Sequence, residues 1–226
     1  MLSIFEDIFY PRSSMDSFAH LQPPLTALTW ARIASPVFAE EEALLQAVSA
    51  ASHQKLFKLG RTAAHKALES LGQQKQPILR GPRREPLWPA GVVGSISHTE
   101  NIAYCFAALD KDFRSVGVDI EQVSRNPGLA LQKIATPSEL SLLSQAGLPG
   151  LPLFSAKEAL YKCLYPVAQV FFGYSGAKLT AVTPGNSLWT LRLELSEDLG
   201  ATFKQGQAFN VVLGNDSHIW LALTVL

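Results

Sequence analysis

Two acids stand two residues apart in Val116-Gly117-Val118-Asp119-Ile120-Glu121. The alternation puts Val116, Val118 and Ile120 on one side of an extended chain and Gly117, Asp119 and Glu121 on the other. Asp119 and Glu121 then sit roughly 7 Å apart on one face. Carboxylates that close repel unless a positive group lies between them. A hard divalent cation, Mg²⁺ or Mn²⁺ in its place, takes oxygen ligands and is often shared with substrate phosphates. The apolar side predicts a core, the acidic side an open face, and Gly117 a bare spot where a bulky ligand could approach. A solvated acidic strand face is the alternative.

Three other groups could act with these acids. Glu158 and Lys162 are four apart in Phe154-Ser155-Ala156-Lys157-Glu158-Ala159-Leu160-Tyr161-Lys162, with Lys157 beside Glu158. On a helix Glu158 and Lys162 share a face, and the common reading is a surface i,i+4 ion pair. His98 ends Gly94-Ser95-Ile96-Ser97-His98, and against an anion it would be held protonated. The Pro- and Gly-rich stretch Pro77–Gly91 holds Arg80, Arg83, Arg84 and Trp88. Arginines and an aromatic on a stiff loop suit a phosphate and a flat base.

These residues need elements to carry them. Residues 1–35 read as strand and loop. From about Ala39 to Leu71 the apolar spacing is helical, with Gly72 as C-cap. The polar side of its second half carries Lys55, Lys58, Arg61, His65 and Lys66, which predicts a solvated basic face. Gly94–Thr99 and Ile102–Leu109 read as strand, turn, strand. Thr136-Pro137-Ser138-Glu139 predicts a helix start with a capping box. Phe154–Leu164 predicts another helix. Leu188–Leu195, Phe209–Leu213 and Ile219–Leu226 read as strands. A break near Asp110–Arg114 divides the chain into halves, 1–112 and 113–226.

With 226 residues, 47% of them hydrophobic, the chain can build a substantial core. Nineteen basic residues balance nineteen acidic ones, so bulk charge gives no reason to expect nucleic acid or an anionic membrane as a partner. The two cysteines, Cys105 and Cys163, lack metal or disulfide spacing, which suits a reducing cytoplasm. The N-terminus does not read as a signal peptide, and no apolar run approaches about 18 residues, so no membrane span is expected.

Together the motifs resemble the 4′-phosphopantetheinyl transferases, of the larger Sfp-like type. The resemblance lies in Gly117-Val118-Asp119-Ile120-Glu121, in Phe154-Ser155-Ala156-Lys157-Glu158-Ala159 with Lys162 some forty residues on, and in the upstream Ser97-His98 turn. The stretch Arg84-Glu85-Pro86-Leu87-Trp88-Pro89, leading to Gly94–His98, is similar to the enterobactin-pathway (EntD-like) subgroup and its actinobacterial relatives.

The resemblance implies an α+β fold of two similar halves about a pseudo-twofold axis, with coenzyme A as co-substrate in the cleft between them. It implies that Asp119, Glu121 and Glu158 hold Mg²⁺. His98 and Lys162 would bind phosphate oxygens, with Ser97 and Lys157 nearby. Arg84 and Pro86 would lie along the adenine, and Arg61 and Thr62 near the 3′-phosphate. Residues 36–54 contain no Lys or Arg, so the dense basic cluster of some relatives is thin here, and Arg80 and Arg83 are the candidates to stand in for it. The expected reaction moves the 4′-phosphopantetheine arm to a serine of an apo acyl, peptidyl or polyketide carrier protein and releases adenosine 3′,5′-bisphosphate. Glu158 is the expected base, directly or through a water. The carrier, an acidic helical domain, is expected to dock near Tyr165–Tyr174. A monomer is expected. Two rivals share some features. A nucleotide hydrolase would share the carboxylates, but the chain has no GxxxxGK[ST] loop. A coenzyme A-binding regulator would need the acids less.

Overall fold

The computed structural model of the protein describes residues 26–45, 50–186 and 188–226. Its elements follow in this order: β1 Thr26–Ala31, α1 Ala39–Leu45, α2 Ala51–Ser70, β2 Leu79–Arg80, β3 Pro86–Leu87, β4 Val92–His98, β5 Ala103–Leu109 and β6 Val116–Gln122. The short helix α3 Leu131–Ile134, then α4 Pro137–Gln145 and α5 Leu151–Ala168, lead into β7 Ala177–Pro184, β8 Leu188–Leu195, β9 Ala208–Asn215 and β10 Ile219–Val225. The fold is α+β. The strand expected in residues 1–35 is β1; residues 1–25 lie outside the described residues.

Two antiparallel sheets carry the molecule, one in the order β1-β5-β4 and one in the order β6-β10-β9-β8-β7. β2 and β3 form a separate two-stranded hairpin within the Pro-rich stretch. Side-chain alternation along β5 sets the layers. Ala103, Cys105 and Ala107 face one core with Leu59, Ala63, Ala67 and Leu68 of α2. Tyr104, Phe106 and Ala108 face a second core with Val116, Val118 and Ile120 of β6 and Leu221 and Leu223 of β10. A third core lies on the far side of the larger sheet, where Leu153, Ala156, Leu160 and Leu164 of α5 meet Leu191, Leu193 and Val211. The sheets are therefore stacked between α2 on one side and α4 and α5 on the other.

Local signals explain several boundaries. Gly72 has φ 69°, and its N–H donates to Glu69 O while Gln73 N–H donates to Leu68 O, the two bonds of a Schellman stop. Thr136 and Glu139 form the expected capping box at the start of α4, with Pro137 in its first turn.

Two expectations change. The single helical pattern from Ala39 to Leu71 is two helices, because Ala50 is extended (φ −86°, ψ 122°) just before α2. The expected basic face of α2 is only partly solvated: Arg61 and His65 are buried, 6% exposed each. They turn toward Glu41 of α1, which is fully buried. Its Oε1 lies 3.0 Å from His65 Nε2 and 3.7 Å from Arg61 Nε, and it accepts Ile78 N–H at 2.8 Å. Burial alone would raise the Glu41 pKa, but the bonds from His65 and the Ile78 and Phe38 N–H groups prevail and hold it below its usual value.

Candidate active site

β6 is an edge strand of the large sheet and β4 an edge strand of the small one. The two edges meet through hydroxyls. Val118 N–H donates to Ser95 Oγ at 3.1 Å, and Ile120 N–H donates to Ser97 Oγ at 3.2 Å. Serines two apart on β4 thus cap the unpaired donors of β6, which would otherwise be buried without partners. Gly94, on the same strand, leaves room for the Trp88 ring: a Cβ there would stand 2.4 Å from it.

β6 is buried on both faces, which corrects the expected open acidic face. Gly117 does not make room for a ligand. A Cβ at Gly117 would lie 2.0 Å from Ala159 O, so the glycine lets the backbone of α5 rest on β6. This close packing brings Lys162 to Asp119.

Asp119 is 5% exposed. Its Oδ1 accepts Ser97 Oγ–H at 2.8 Å and Lys162 Nζ at 2.6 Å. Lys162 also donates to Val118 O at 3.2 Å. Asp119 Oδ2 is buried and has no partner. Glu121, two residues on, is ion-paired with Arg125 through Oε1. Burial raises the Glu121 pKa, and the charge of Asp119 adds to the rise despite Arg125. Glu158 Oε1 accepts the Tyr174 hydroxyl at 2.8 Å. Burial, that bond and the charges of Glu158 and Asp119 push the Tyr174 phenol above its ordinary pKa. His98, at the exposed end of β4, is held below its usual pKa by desolvation and by the Lys162 ammonium, with Asp119 opposing. Asp119, Glu121, Glu158, Lys162 and His98 therefore share one neighbourhood, drawn from β4, β6 and α5.

Each acid already has a protein donor. Among the described residues, no three of His, Cys, Asp and Glu form a group that could hold a metal ion as they stand. The donor set still suits a hard cation, because it is all oxygen and one buried oxygen, Asp119 Oδ2, is unpartnered. Mg²⁺ commonly keeps several waters and substrate oxygens, so it does not need a closed protein cage.

The other expected site residues divide. Ser97 is buried with its hydroxyl on Asp119, so it orients the acid rather than facing open space. Lys157 is a correction. It is 5% exposed and its Nζ binds Glu139 Oε1 at 2.9 Å, Ile134 O at 2.8 Å and Tyr174 O at 2.9 Å. Its ammonium has left no hydrogen for a ligand. Arg61 donates to Leu79 O at 3.3 Å, lies 4.4 Å from the Phe57 ring centre, and has a buried Nε without a hydrogen-bond partner. Arg80 lies 5.1 Å from the same ring. Burial, together with the neighbouring Arg80, lowers the Arg61 pKa to about 10 despite Glu41. Burial and Arg84 lower that of Arg80. Three guanidiniums from α2, β2 and the hairpin turn thus crowd together. Arg84 sits in that turn with φ 71°, beside Pro86 of β3. Arg83 instead acts on Tyr161 of α5. Thr62 donates to Lys58 O and accepts Ser35 N–H, so its hydroxyl is occupied.

Several residues escaped the sequence reading. Glu139 was visible only as a helix cap; its Oε2 does cap, while Oε1 takes Lys157 and Leu179 N–H. Ser95 lay inside the Gly94–His98 motif without a role of its own, and Arg125 and Tyr174 carried no motif. The spacing Glu121–Arg125 was a weak signal, and Tyr174 had none.

The chain matches two family descriptions: 4′-phosphopantetheinyl transferase N-terminal domain over residues 39–108, and 4′-phosphopantetheinyl transferase superfamily over residues 115–204. It is 33% identical over 194 residues to the 4′-phosphopantetheinyl transferase PptT of Mycobacterium tuberculosis, covering 84% of this chain and 78% of the relative. It is 36% identical over 166 residues to Svp of Streptomyces mobaraensis, a 4′-phosphopantetheinyl transferase, covering 70% and 66%. It is 35% identical over 130 residues to enterobactin synthase component D of Salmonella typhimurium, covering 55% and 53%.

Proposed function

The chain belongs to the 4′-phosphopantetheinyl transferase superfamily, of the Sfp/EntD type, and is an enzyme of that type; from this premise we propose that it transfers the 4′-phosphopantetheine arm of coenzyme A to a serine hydroxyl of apo carrier protein domains. The observation that carries this reading is Asp119, whose Oδ1 is fixed by Ser97 and Lys162 while its buried Oδ2 has no partner. A buried carboxylate oxygen without a donor is satisfied by a group from outside the chain, a cation or a water, and its negative charge favours the cation.

In this reading Asp119, Glu121 and Glu158 would hold Mg²⁺, which would supply positive charge against the diphosphate. Lys162 and His98 bind phosphate oxygens beside it. Glu158, through its second oxygen, takes the serine proton directly or through a water. The serine oxygen bonds to the β-phosphorus of coenzyme A, the bond from that phosphorus to the bridging oxygen breaks, and adenosine 3′,5′-bisphosphate leaves. Arg61 and Arg80 hold the 3′-phosphate, whose charge relieves the repulsion between them. Thr62 follows Arg61 on α2, its hydroxyl taken by Lys58 O and Ser35 N–H, and Arg84 and Pro86 lie along the adenine.

The two parts of the chain, 1–112 and 113–226, act as similar halves about a pseudo-twofold axis with the cleft at the β4–β6 seam. The seam joins His98 to Asp119 within one chain, so a monomer contains the whole site, and we assign it to the cytoplasm. The carrier docks against Phe171, 68% exposed, beside Tyr161, while Phe172 stays in the core at 7%. Nonribosomal peptide, siderophore and polyketide carriers are the proposed class.

The test is the intact mass of an apo carrier after incubation with the protein, coenzyme A and Mg²⁺. The expected result is a gain of one phosphopantetheine arm, with the rate for Asp119→Asn lower by about 10²–10³-fold when measured at a temperature where that variant is folded. No mass gain on peptidyl, polyketide or fatty-acid carriers, with coenzyme A still bound, would point to a binding protein instead.

A further inference from the structure

Glu158 and Lys162 are four apart on α5, the spacing at which a glutamate and a lysine ordinarily pair. They do not pair. Lys162 Nζ goes across to Asp119 Oδ1 at 2.6 Å and to Val118 O at 3.2 Å. Glu158 Oε1 takes the Tyr174 hydroxyl at 2.8 Å. Building on the transfer reading, we propose that Tyr174 is a positioning residue whose hydroxyl holds the Glu158 carboxylate away from Lys162. The lysine is thereby left to Asp119, and the second Glu158 oxygen stays free for the reaction.

The hydroxyl can do this because the rest of Tyr174 is held in place. Residues Tyr174–Gly176 form a single 3₁₀ turn, closed by Gly176 N–H on Gly173 O at 2.9 Å. The Tyr174 carbonyl accepts Lys157 Nζ, which is itself locked on Glu139. The ring packs on Phe154 with centres 5.7 Å apart. Phe154 carries the Arg125 guanidinium 5.0 Å from its ring centre, and Arg125 holds Glu121. The buried Lys157–Glu139 pair thus supports the site from behind, through the backbone of Tyr174. Without the hydroxyl, a carboxylate and an ammonium at i,i+4 would close on each other. That closure would draw Lys162 from Asp119 and from the diphosphate it is proposed to bind.

The experiment is calorimetric coenzyme A binding to the wild type, Tyr174→Phe, Glu158→Gln and the double variant, with melting temperatures. Phenylalanine keeps the ring on Phe154 and removes only the hydroxyl. Tyr174→Phe is expected to weaken binding about two- to tenfold in the wild-type background. It is expected to change nothing in the Glu158→Gln background, where no carboxylate remains to capture the lysine. Wild-type affinity in Tyr174→Phe, or an equal loss in both backgrounds, would overturn the proposal. Unfolding of Tyr174→Phe would overturn it as well, because the hydroxyl would then be holding the fold rather than one carboxylate. If the wild type binds no coenzyme A, the transfer reading fails by itself. A crystal structure of Tyr174→Phe then still decides the inference: Glu158 turned onto Lys162 supports it, and Glu158 unmoved contradicts it.

Discussion

Two lysine–carboxylate pairs stand on the same helix, one buried and one half-buried, and they differ in completeness. In one, Lys157 binds Glu139 and two carbonyl oxygens, while Glu139 also accepts the N–H groups of Thr136 and Leu179 and the Thr136 hydroxyl. Every donor and acceptor has a partner. In the other, Lys162 binds Asp119, and Asp119 Oδ2 has none. The first pair is closed and structural. The second is open on one atom, and that atom is where an outside cation would be most favoured. A buried pair by its presence says little about function; an unsatisfied oxygen within a pair says much more.

Breaking the closed pair should have the largest effect on stability. Glu139→Ala leaves Lys157 charged, buried and short of a partner, and urea unfolding should show a loss of about 3–5 kcal/mol. If the loss stays under about 1 kcal/mol, the pair is not the anchor described here. Gly117→Ala tests the packing that brings the open pair together. The added methyl would meet Ala159 O, so α5 must move off β6, with an expected cost of about 1–3 kcal/mol and a fall in transfer activity beyond the stability loss. Full activity in that variant would mean that the helix approach does not set the position of Lys162.

The smallest and most discriminating effect is on pH dependence. For Glu139, burial would raise the pKa, but Lys157 and the backbone N–H groups hold it below its ordinary value. Glu41 behaves alike. A depressed carboxylate contributes stability above its unfolded pKa and loses it as pH falls through the folded one. Glu121 is raised, so its contribution is present below its unfolded pKa and lost as pH rises through the folded one. Glu139→Gln should therefore flatten the acid side of the stability curve. Glu121→Gln should melt no lower than wild type at neutral pH while losing transfer activity. A lower melting temperature for Glu121→Gln at neutral pH would contradict the reading that burial and Asp119 make the charged form of Glu121 a cost to the fold.

Much of this was legible from local pattern. The alternation at Val116–Glu121 gave the right strand and the right facing of its acids, and the capping box placed α4. What was not legible depended on partners distant in the chain. Neighbouring helix residues point about 100° apart, so Lys157 beside Glu158 faces the core and meets Glu139, eighteen positions earlier. Arg61 and His65 read as a solvated face because Glu41, on another helix, is invisible to periodicity. Gly117 read as space for a ligand because nothing local announces that a helix backbone will lie there. Ser95 and Ser97 stood in plain view, but their use depends on β4 and β6 meeting edge to edge.

The most direct test of the contrast between the two pairs is Mn²⁺ binding, followed by electron paramagnetic resonance, in the presence of coenzyme A. The wild type and Glu139→Gln, measured where the latter is folded, are expected to bind the ion alike, and Asp119→Asn is expected to lose it. Equal Mn²⁺ binding by Asp119→Asn and the wild type would contradict the claim that the unpartnered oxygen of Asp119 marks the reactive centre.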